Sequence, residues 1–136
     1  MSRAIDTVSH CNSMMEVRQR IDALDDILVP LLVERSSYML QAARIKQDVS
    51  QVRDEDRIEA IVARVREKTL SEGGDAGVME AIYRNLMEAC IAYEHCEFVR
   101  LREEAGASPR RAAPSGLSPF GGQQPVQRRS VGAAAS

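Results

Sequence analysis

The sequence has no tryptophan and only 4% aromatic residues, so large rings cannot form the centre of its hydrophobic core. Leucine, isoleucine, valine, methionine and alanine must fill that core instead, and such a composition favours packed helices over a β-sandwich or barrel. A chain of 136 residues is long enough for one domain with little to spare. We therefore predict an all-α, single-domain protein.

Cysteines are few, and their spacing does not suggest disulfides. Cys11, Cys90 and Cys96 are an odd number of thiols, as expected of reduced cysteines in a cytoplasmic protein. His95 lies between the last two, but there is no CxxC and no second histidine nearby, so we predict no metal site. Neither a signal peptide nor an apolar run of about eighteen residues occurs, so we also expect no membrane contact.

Two further absences narrow the function. The chain has no Gly-x-Ser-x-Gly motif and no glycine-rich phosphate loop, so an enzyme of this sequence would act by positioning and electrostatics. Residues 105–136 contain four arginines and no acid, so this segment carries a charge of +4. Because the net charge of the whole chain is −2, residues 1–104 carry a charge of −6. A mildly acidic body argues against nucleic acid as a partner.

What the chain does have is one long amphipathic stretch, residues 14–47. Steps of four and three residues join Val17, Ile21, Leu24, Leu28, Leu31, Arg35, Tyr38, Ala42 and Ile45. This spacing is typical of a helix packed lengthwise against other helices. It predicts a first helix from an N-cap at Asn12 or Ser13 to about Asp48. The pattern stays in phase across Pro30, so we predict a kink there rather than two helices.

Three cations in this stretch are unusual. Arg35 occupies an apolar position of the pattern, and Lys46 lies eleven residues later. Eleven helical steps return to within about 20° of the starting direction and span about 16 Å, so the two side chains share a face. Arg18 points about 100° away from Arg35 and lies about 25 Å along the axis. If all three serve one site, Arg18 must come from a second copy of the chain.

Two further helices follow a short loop at residues 48–52. Asp54 is the predicted N-cap of the second helix, which should end at Gly73 and Gly74. Asp75 should cap a third helix, from about Ala76 to Glu104. We expect residues 1–13 to be a flexible lead-in, residues 14–104 to be the helical domain, and residues 105–136, rich in Ala, Gly, Ser, Pro and Gln, to be a disordered tail.

The helices are very unequal in length. The first would be about 50 Å long and would leave its apolar stripe exposed in a monomer. Pairing two chains along this helix would cover the stripe. We therefore predict an intertwined homodimer of three-helix protomers with a long, kinked first helix.

Core-facing charges allow two interpretations. Arg35 and Glu94 fall on apolar faces, and a buried guanidinium is costly unless it is paired or meets an anion. They could form an internal salt bridge. Alternatively, they could line a pocket for a small anion, together with Lys46 and with Arg57, a cation in the first turn of the second helix where the helix dipole disfavours it.

Several segments, in order and at their spacing, resemble the all-helical chorismate mutases. The resemblance covers Val17 to Leu101 and is carried by residues 17–25, 32–35, Lys46 and 52–57. It implies an intertwined three-helix dimer without a cofactor that converts chorismate, a small dicarboxylate, to prephenate by a pericyclic [3,3] rearrangement.

The resemblance also implies roles for individual residues. Arg18 of the partner subunit and Arg35 would bind the two carboxylates of chorismate. Lys46 would donate a hydrogen bond to the ether oxygen, whose negative charge grows as the C–O bond breaks. Asp54 would contact the ring hydroxyl and Arg57 would support the site. Cys90 and Glu94, one turn apart on the third helix, would complete it.

Three positions depart from the family pattern. Glu94 stands where many bacterial members have a glutamine that donates to the ether oxygen, so it would have to be protonated, and we expect more activity at mildly acidic pH. Cys90 stands where a serine often touches a substrate carboxylate. Ile58 stands where a glutamate often helps to hold the ring hydroxyl.

Three other functions fit the scaffold. Isochorismate pyruvate-lyases share it, but the Val-Arg-Asp-x-x-Arg segment at residues 52–57 is more similar to the mutases. A mutase acting on 4-amino-4-deoxychorismate is a second alternative, favoured by Ile58. A helical dimerisation module would explain the apolar stripe but not Arg35, Lys46 and Arg57 together.

Overall fold

A computed structural model describes residues 2–106, and it contains three α-helices and two short 3₁₀ turns. The helices are α1 (Met14–Ile45), α2 (Glu55–Ser71) and α3 (Ala76–Gly106), and the turns are Ala4–Thr7 and Val49–Gln51. No strand occurs among these residues, so the prediction of an all-α, three-helix protomer is confirmed. Residues 107–136, which make up nearly all of the predicted tail, lie outside the described part of the chain.

Helix α1 begins where its cap was predicted. The Ser13 hydroxyl accepts a hydrogen bond of 3.2 Å from the Glu16 amide, and the helix then runs unbroken through Pro30. It ends at Ile45, earlier than the predicted Asp48, because the Lys46 backbone is extended, with φ −63° and ψ 139°. Asp48 instead caps the following 3₁₀ turn. Lys46 is therefore the C-cap of α1 rather than a residue within it.

The boundaries of α2 and α3 follow local signals. Asp54 Oδ1 accepts from the Arg57 amide at 3.0 Å, and Asp75 Oδ1 accepts from the Val78 amide at 2.9 Å. Between the helices, Gly73 has a φ of 79°, and a Cβ there would lie 2.5 Å from Ile5 Cγ2. A side chain at Gly73 is thus excluded both by backbone conformation and by space.

Helix α3 is the central element, packed against α1 on one side and α2 on the other. Two buried apolar clusters join the helices: Ala43, Val52 and Phe98 at the α1 side, and Ile58, Val62 and Met87 at the α2 side. A helix contacted on two sides must carry apolar residues on both of those faces, as α3 does with Met87 and Phe98.

The two halves of α1 differ in their surroundings. Residues 18–31, which we call the free half, are all exposed. Residues 32–46, which we call the packed half, include the C-cap Lys46. They contain every buried or half-buried residue of α1 and its C-cap except Val17. Leu24, Leu28 and Leu31 are 64%, 48% and 56% exposed. The predicted apolar stripe is thus uncovered in the free half of a single protomer.

In the packed half, the face towards α3 differs from the predicted stripe. Tyr38 and Ile45 belong to the stripe but are exposed. Ala43, which is not part of it, is buried, and Arg35 and Lys46 contact α3 side chains. The exposed stripe of α1 therefore continues past the free half at Tyr38 and Ile45.

The segment before α1 contacts the end of α2. The Ala4 amide donates to Glu72 Oε2 at 2.6 Å, and the Ile5 amide donates to the Glu72 carbonyl at 3.2 Å. The sequence did not predict this contact, and the flexibility expected of residues 1–13 stays a prediction. Over residues 2–106, no helix is long and apolar enough to cross a membrane.

Candidate active site

Four of the predicted site residues meet where the packed half of α1 crosses α3. Arg35 and Lys46 come from one face of α1, since eleven helical steps nearly complete three turns. Cys90 and Glu94 come from one face of α3, since they are four residues apart. Arg35 Nη1 lies 3.3 Å from Cys90 Sγ, and Lys46 Nζ lies 2.6 Å from Glu94 Oε1. The crossing therefore joins two cations, a thiol and a carboxyl group.

Glu94 is the most buried ionisable side chain in the described chain, with 3% of its surface exposed. The Lys46 ammonium compensates its charge, as a buried carboxylate requires. Within residues 2–106, Oε1 has this ion-pair partner and no other donor. The crossing thus holds a buried carboxyl group whose charge is balanced by a single ammonium.

Arg35 is not the partner of Glu94. Its guanidinium donates to Cys90 Sγ and lies over the Tyr83 ring, with Cζ 5.9 Å from the ring centroid. The internal Arg35–Glu94 salt bridge, one of the two interpretations of the sequence, is therefore not formed. A guanidinium has five N–H donors, and within residues 2–106 only one of those of Arg35 makes a hydrogen bond. The remaining donors are free for an anionic ligand.

Asp54 and Arg57 lie at the start of α2. Asp54 lines an open depression of about 670 Å³ together with Lys46, Gln51 and Arg53. Its carboxylate also caps α2 through the Arg57 amide. The Arg57 side chain is exposed and forms no hydrogen bond or ion pair with the described residues. Asp54 therefore shares a surface with Lys46, whereas no side-chain contact within residues 2–106 joins Arg57 to the other predicted site residues.

Arg18 lies in the free half of α1, about 25 Å along the helix axis from Arg35. It is exposed, and no side-chain hydrogen bond or ion pair joins it to residues 2–106. One protomer does not bring Arg18 and Arg35 together. That a partner subunit supplies Arg18 stays a prediction.

Ile58 belongs to the core rather than to the site. It is buried against Val62 and Met87 between α2 and α3, with Ile91 packed beside them. The position that often carries a carboxylate in the family therefore presents no polar group.

Sequence reasoning missed three residues around the crossing. Tyr83 lies under Arg35, and its place seven residues before Cys90 could have indicated a shared face. Arg53 binds both carboxylate oxygens of Glu88 on α3, at 2.8 and 3.0 Å, and its guanidinium lowers the pKa of that carboxyl group. Arg102 donates to backbone carbonyls at the end of α1. Nothing local in the sequence indicates the contacts of Arg53 and Arg102, because they join residues far apart in the chain.

Metal ligands do not cluster in the described residues. No group of three or more His, Cys, Asp or Glu side chains between residues 2 and 106 is arranged to hold a metal ion. What the crossing offers is a guanidinium with unused donors, an ammonium, a thiol and a buried carboxyl group. Such a set can bind and orient an anion and stabilise negative charge that develops during a reaction.

Comparison with known families gives one match. The family described as "Chorismate mutase type II" matches residues 17–95, which is more than half of the chain. The matched region begins in the first turn of α1 and ends one residue after Glu94, so it contains all seven predicted site residues. No curated protein matches the chain.

Proposed function

Because this chain belongs to the chorismate mutase type II family, we propose that it rearranges chorismate to prephenate in a homodimer. Family membership supports a chorismate mutase-type activity in general, and the choice of substrate and the dimer are our proposal. Each of the two sites would lie at one α1–α3 crossing and would take Arg18 from the partner subunit.

The observation that carries this proposal is the pair of cations at the crossing. Arg35 and Lys46 contact neighbouring residues of α3, one turn apart, and most of the Arg35 donors are unused. A small dicarboxylate with an ether oxygen fits this arrangement, because its carboxylates bind cations and its ether oxygen gains negative charge as the C–O bond breaks.

The proposed chemistry needs no nucleophile. A pericyclic rearrangement is accelerated by holding the substrate in its compact conformer and by stabilising charge in the transition state. Arg35 and Arg18 of the partner subunit would hold the two carboxylates. Lys46 would donate to the ether oxygen, and Glu94, when protonated, would donate a second hydrogen bond to the same atom.

The Lys46–Glu94 contact has a place in this scheme. The Glu94 carboxyl group lies 2.6 Å from the Lys46 ammonium at the crossing. A substrate would then compete with Glu94 for the Lys46 ammonium.

The residues that would contact the ring and one carboxylate of the substrate offer weaker hydrogen bonds than those of many family members. Cys90 offers a weak S–H donor, and Ile58 is apolar and buried. Asp54 would hold the ring hydroxyl without help from position 58. This region is where a related substrate with a different ring substituent would be accepted or rejected.

A comparison of three substrates tests the reaction. We expect loss of chorismate absorbance with formation of prephenate. Release of pyruvate from isochorismate would instead indicate a lyase, and preferred rearrangement of 4-amino-4-deoxychorismate would indicate an amino-substrate mutase. If the protein consumed none of the three, the proposal would be wrong and the helical dimerisation module would be favoured.

Complementation between two inactive variants tests the shared site. Arg18→Ala and Arg35→Ala should each lower kcat/KM by about 10²- to 10³-fold, as removal of a charged transition-state contact does. When the two are mixed, unfolded and refolded together, half of the dimers are mixed and carry one intact site, so about a quarter of the wild-type activity should return.

The matched control is Arg20→Ala, an exposed arginine two residues from Arg18. Arg20→Ala should be fully active alone. Its mixture with Arg35→Ala should show only the activity of the sites that use Arg35 of an Arg20→Ala chain. If the Arg18→Ala and Arg35→Ala mixture stayed inactive, Arg18 would not act across the subunit interface.

A further inference from the structure

Arg102, near the end of α3, contacts the end of α1 that carries Lys46. Its Nη2 donates to the Gln47 carbonyl at 2.7 Å and to the Lys46 carbonyl at 3.2 Å. The last carbonyls of a helix have no N–H from a following turn, so they need donors from elsewhere. A cation also stabilises the negative end of the helix dipole. Arg102 therefore caps α1 from another helix.

The guanidinium is itself held in place. Its Cζ lies 4.7 Å from the centroid of the Phe98 ring, one turn earlier on α3. Phe98 is buried and packs against Ala43 of α1 and Val52. A planar guanidinium stacked on a ring loses little freedom when it also donates hydrogen bonds. The ring, the guanidinium and the end of α1 thus form one packed unit, which we call the α1 clamp (Ala43, Val52, Phe98 and Arg102).

Lys46 is in a position that needs such support. It is the C-cap residue, where the backbone leaves the helix for an extended conformation, and helix ends fray. Its amide still bonds to the Ala42 carbonyl at 2.9 Å, so only its carbonyl side lacks a helical partner. Arg102 supplies the missing partner at that carbonyl. The Lys46 side chain starts from this backbone and places its ammonium 2.6 Å from Glu94 Oε1.

We propose that Arg102 is a positioning residue for Lys46: it fixes the end of α1 so that the ammonium stays at the α1–α3 crossing. The contribution to turnover rests on the proposed function, in which Lys46 acts on the substrate, whereas the contribution to the backbone does not. Arg102 lies outside residues 17–95, so the family match does not assign it a role.

Kinetics of three variants of the full chain test the contribution to turnover. Arg102→Gln should lower kcat by about tenfold and change KM by less than about twofold, since misplacing a group that acts in the transition state mainly affects the chemical step. Arg102→Lys keeps a cationic donor and should recover part of kcat. Arg100→Gln is the matched control, because Arg100 is exposed and, among residues 2–106, pairs only with Glu97 and Glu104 of its own helix.

A double-mutant cycle separates positioning from other effects. In a Lys46→Gln background, Arg102→Gln should cost no further activity, because there is no ammonium left to position. A further tenfold loss in that background would overturn the proposal. The proposal would also be overturned if the loss of kcat in Arg102→Gln equalled the fraction of unfolded protein. That fraction is measured by circular dichroism at the assay temperature.

Hydrogen exchange gives a readout that does not need a substrate. The Lys46 amide should exchange faster in Arg102→Gln than in wild type, and Arg100→Gln should leave it unchanged. Faster exchange in a protein that consumes none of the three substrates would contradict the proposed function but support the clamp. Unchanged exchange together with unchanged kcat in Arg102→Gln would show that Arg102 does not position Lys46.

Discussion

The free and packed halves of α1 carry the same apolar spacing, yet they have opposite environments. The packed half lies against α3 and contains the buried Ala43 and two of the four residues at the crossing. The free half exposes Leu24, Leu28 and their neighbours to solvent. Spacing alone therefore identifies a contact face without saying which element covers it.

The free half also carries the part of the proposed site that the protomer lacks. An apolar stripe of this length is unusual on the surface of a monomer. Arg18 lies on the same half and has no partner among the described residues. A second copy of α1 would cover the apolar stripe and bring an arginine to the site. One interface would therefore both bury the exposed surface and complete the proposed site. This coincidence is what favours a dimer over an unrelated partner.

The largest expected effect comes from a charge placed on the exposed stripe. Leu28→Glu should dissociate the proposed dimer, because it would bury two carboxylates without partners, and activity should fall with the loss of Arg18 of the partner subunit. Sedimentation velocity should show a monomer. Gln19→Glu is the control, since it adds the same charge on the opposite side of α1 and should leave a dimer. A dimeric, active Leu28→Glu variant would mean that the stripe is not the interface.

A second experiment compares alanines in the two halves. Ala43→Leu should destabilise the fold by about 1–3 kcal/mol, because the cluster of Val52 and Phe98 has no room for three more carbon atoms. Ala23→Leu, in the free half, is exposed and should change stability by less than about 0.5 kcal/mol. Urea unfolding followed by circular dichroism measures both. Equal destabilisation by the two substitutions would abolish the distinction between the halves.

A third experiment concerns the proton on Glu94, and its effect should be the smallest. If the protonated carboxyl group is the donor, wild-type kcat/KM should fall as the pH rises, because a carboxylate cannot donate a hydrogen bond. A glutamine donates at every pH, so Glu94→Gln should give a flat profile. The charged groups facing this position are Lys46 and, one turn away, Arg35.

The control for this experiment is another glutamate of α3. Glu97→Gln removes a carboxyl group whose pKa is lowered by its hydrogen bonds to Arg100, and among the described residues that group pairs with neither Lys46 nor Arg35. Its pH profile should match that of the wild type. If Glu94→Gln kept the wild-type slope, Glu94 would not be the titrating donor, and Lys46 alone would have to stabilise the ether oxygen.

Local signals made the helix boundaries predictable. The caps Ser13, Asp54 and Asp75 and the turn at Gly73 each depend on residues within one helical turn, and all four lie where the sequence placed them. The end of α1 was predicted less well, because Lys46 leaves the helix where no glycine or proline marks the boundary. Arg102, which caps this end, is distant in sequence.

The site was only partly predictable for a related reason. Helical phase places Arg35 and Lys46 on one face and Cys90 and Glu94 on another, but it does not determine which cation reaches which partner. One of the two interpretations of the sequence paired Arg35 with Glu94, whereas Lys46 takes that place and Arg35 contacts Cys90. Which cation reaches which partner depends on how far α1 is shifted along α3. Contacts between residues that are distant in sequence determine that shift.

The α1 clamp also affects how far the chain can be truncated. Residues 17–95, the region that the family match delimits, retain all seven predicted site residues. A chain trimmed to these limits would nevertheless lose Phe98 and Arg102, and with them the buried neighbour of Ala43 and the cap of α1. It would also lose the segment that binds Glu72. We therefore expect the smallest working unit to be longer than the stretch by which the family is recognised.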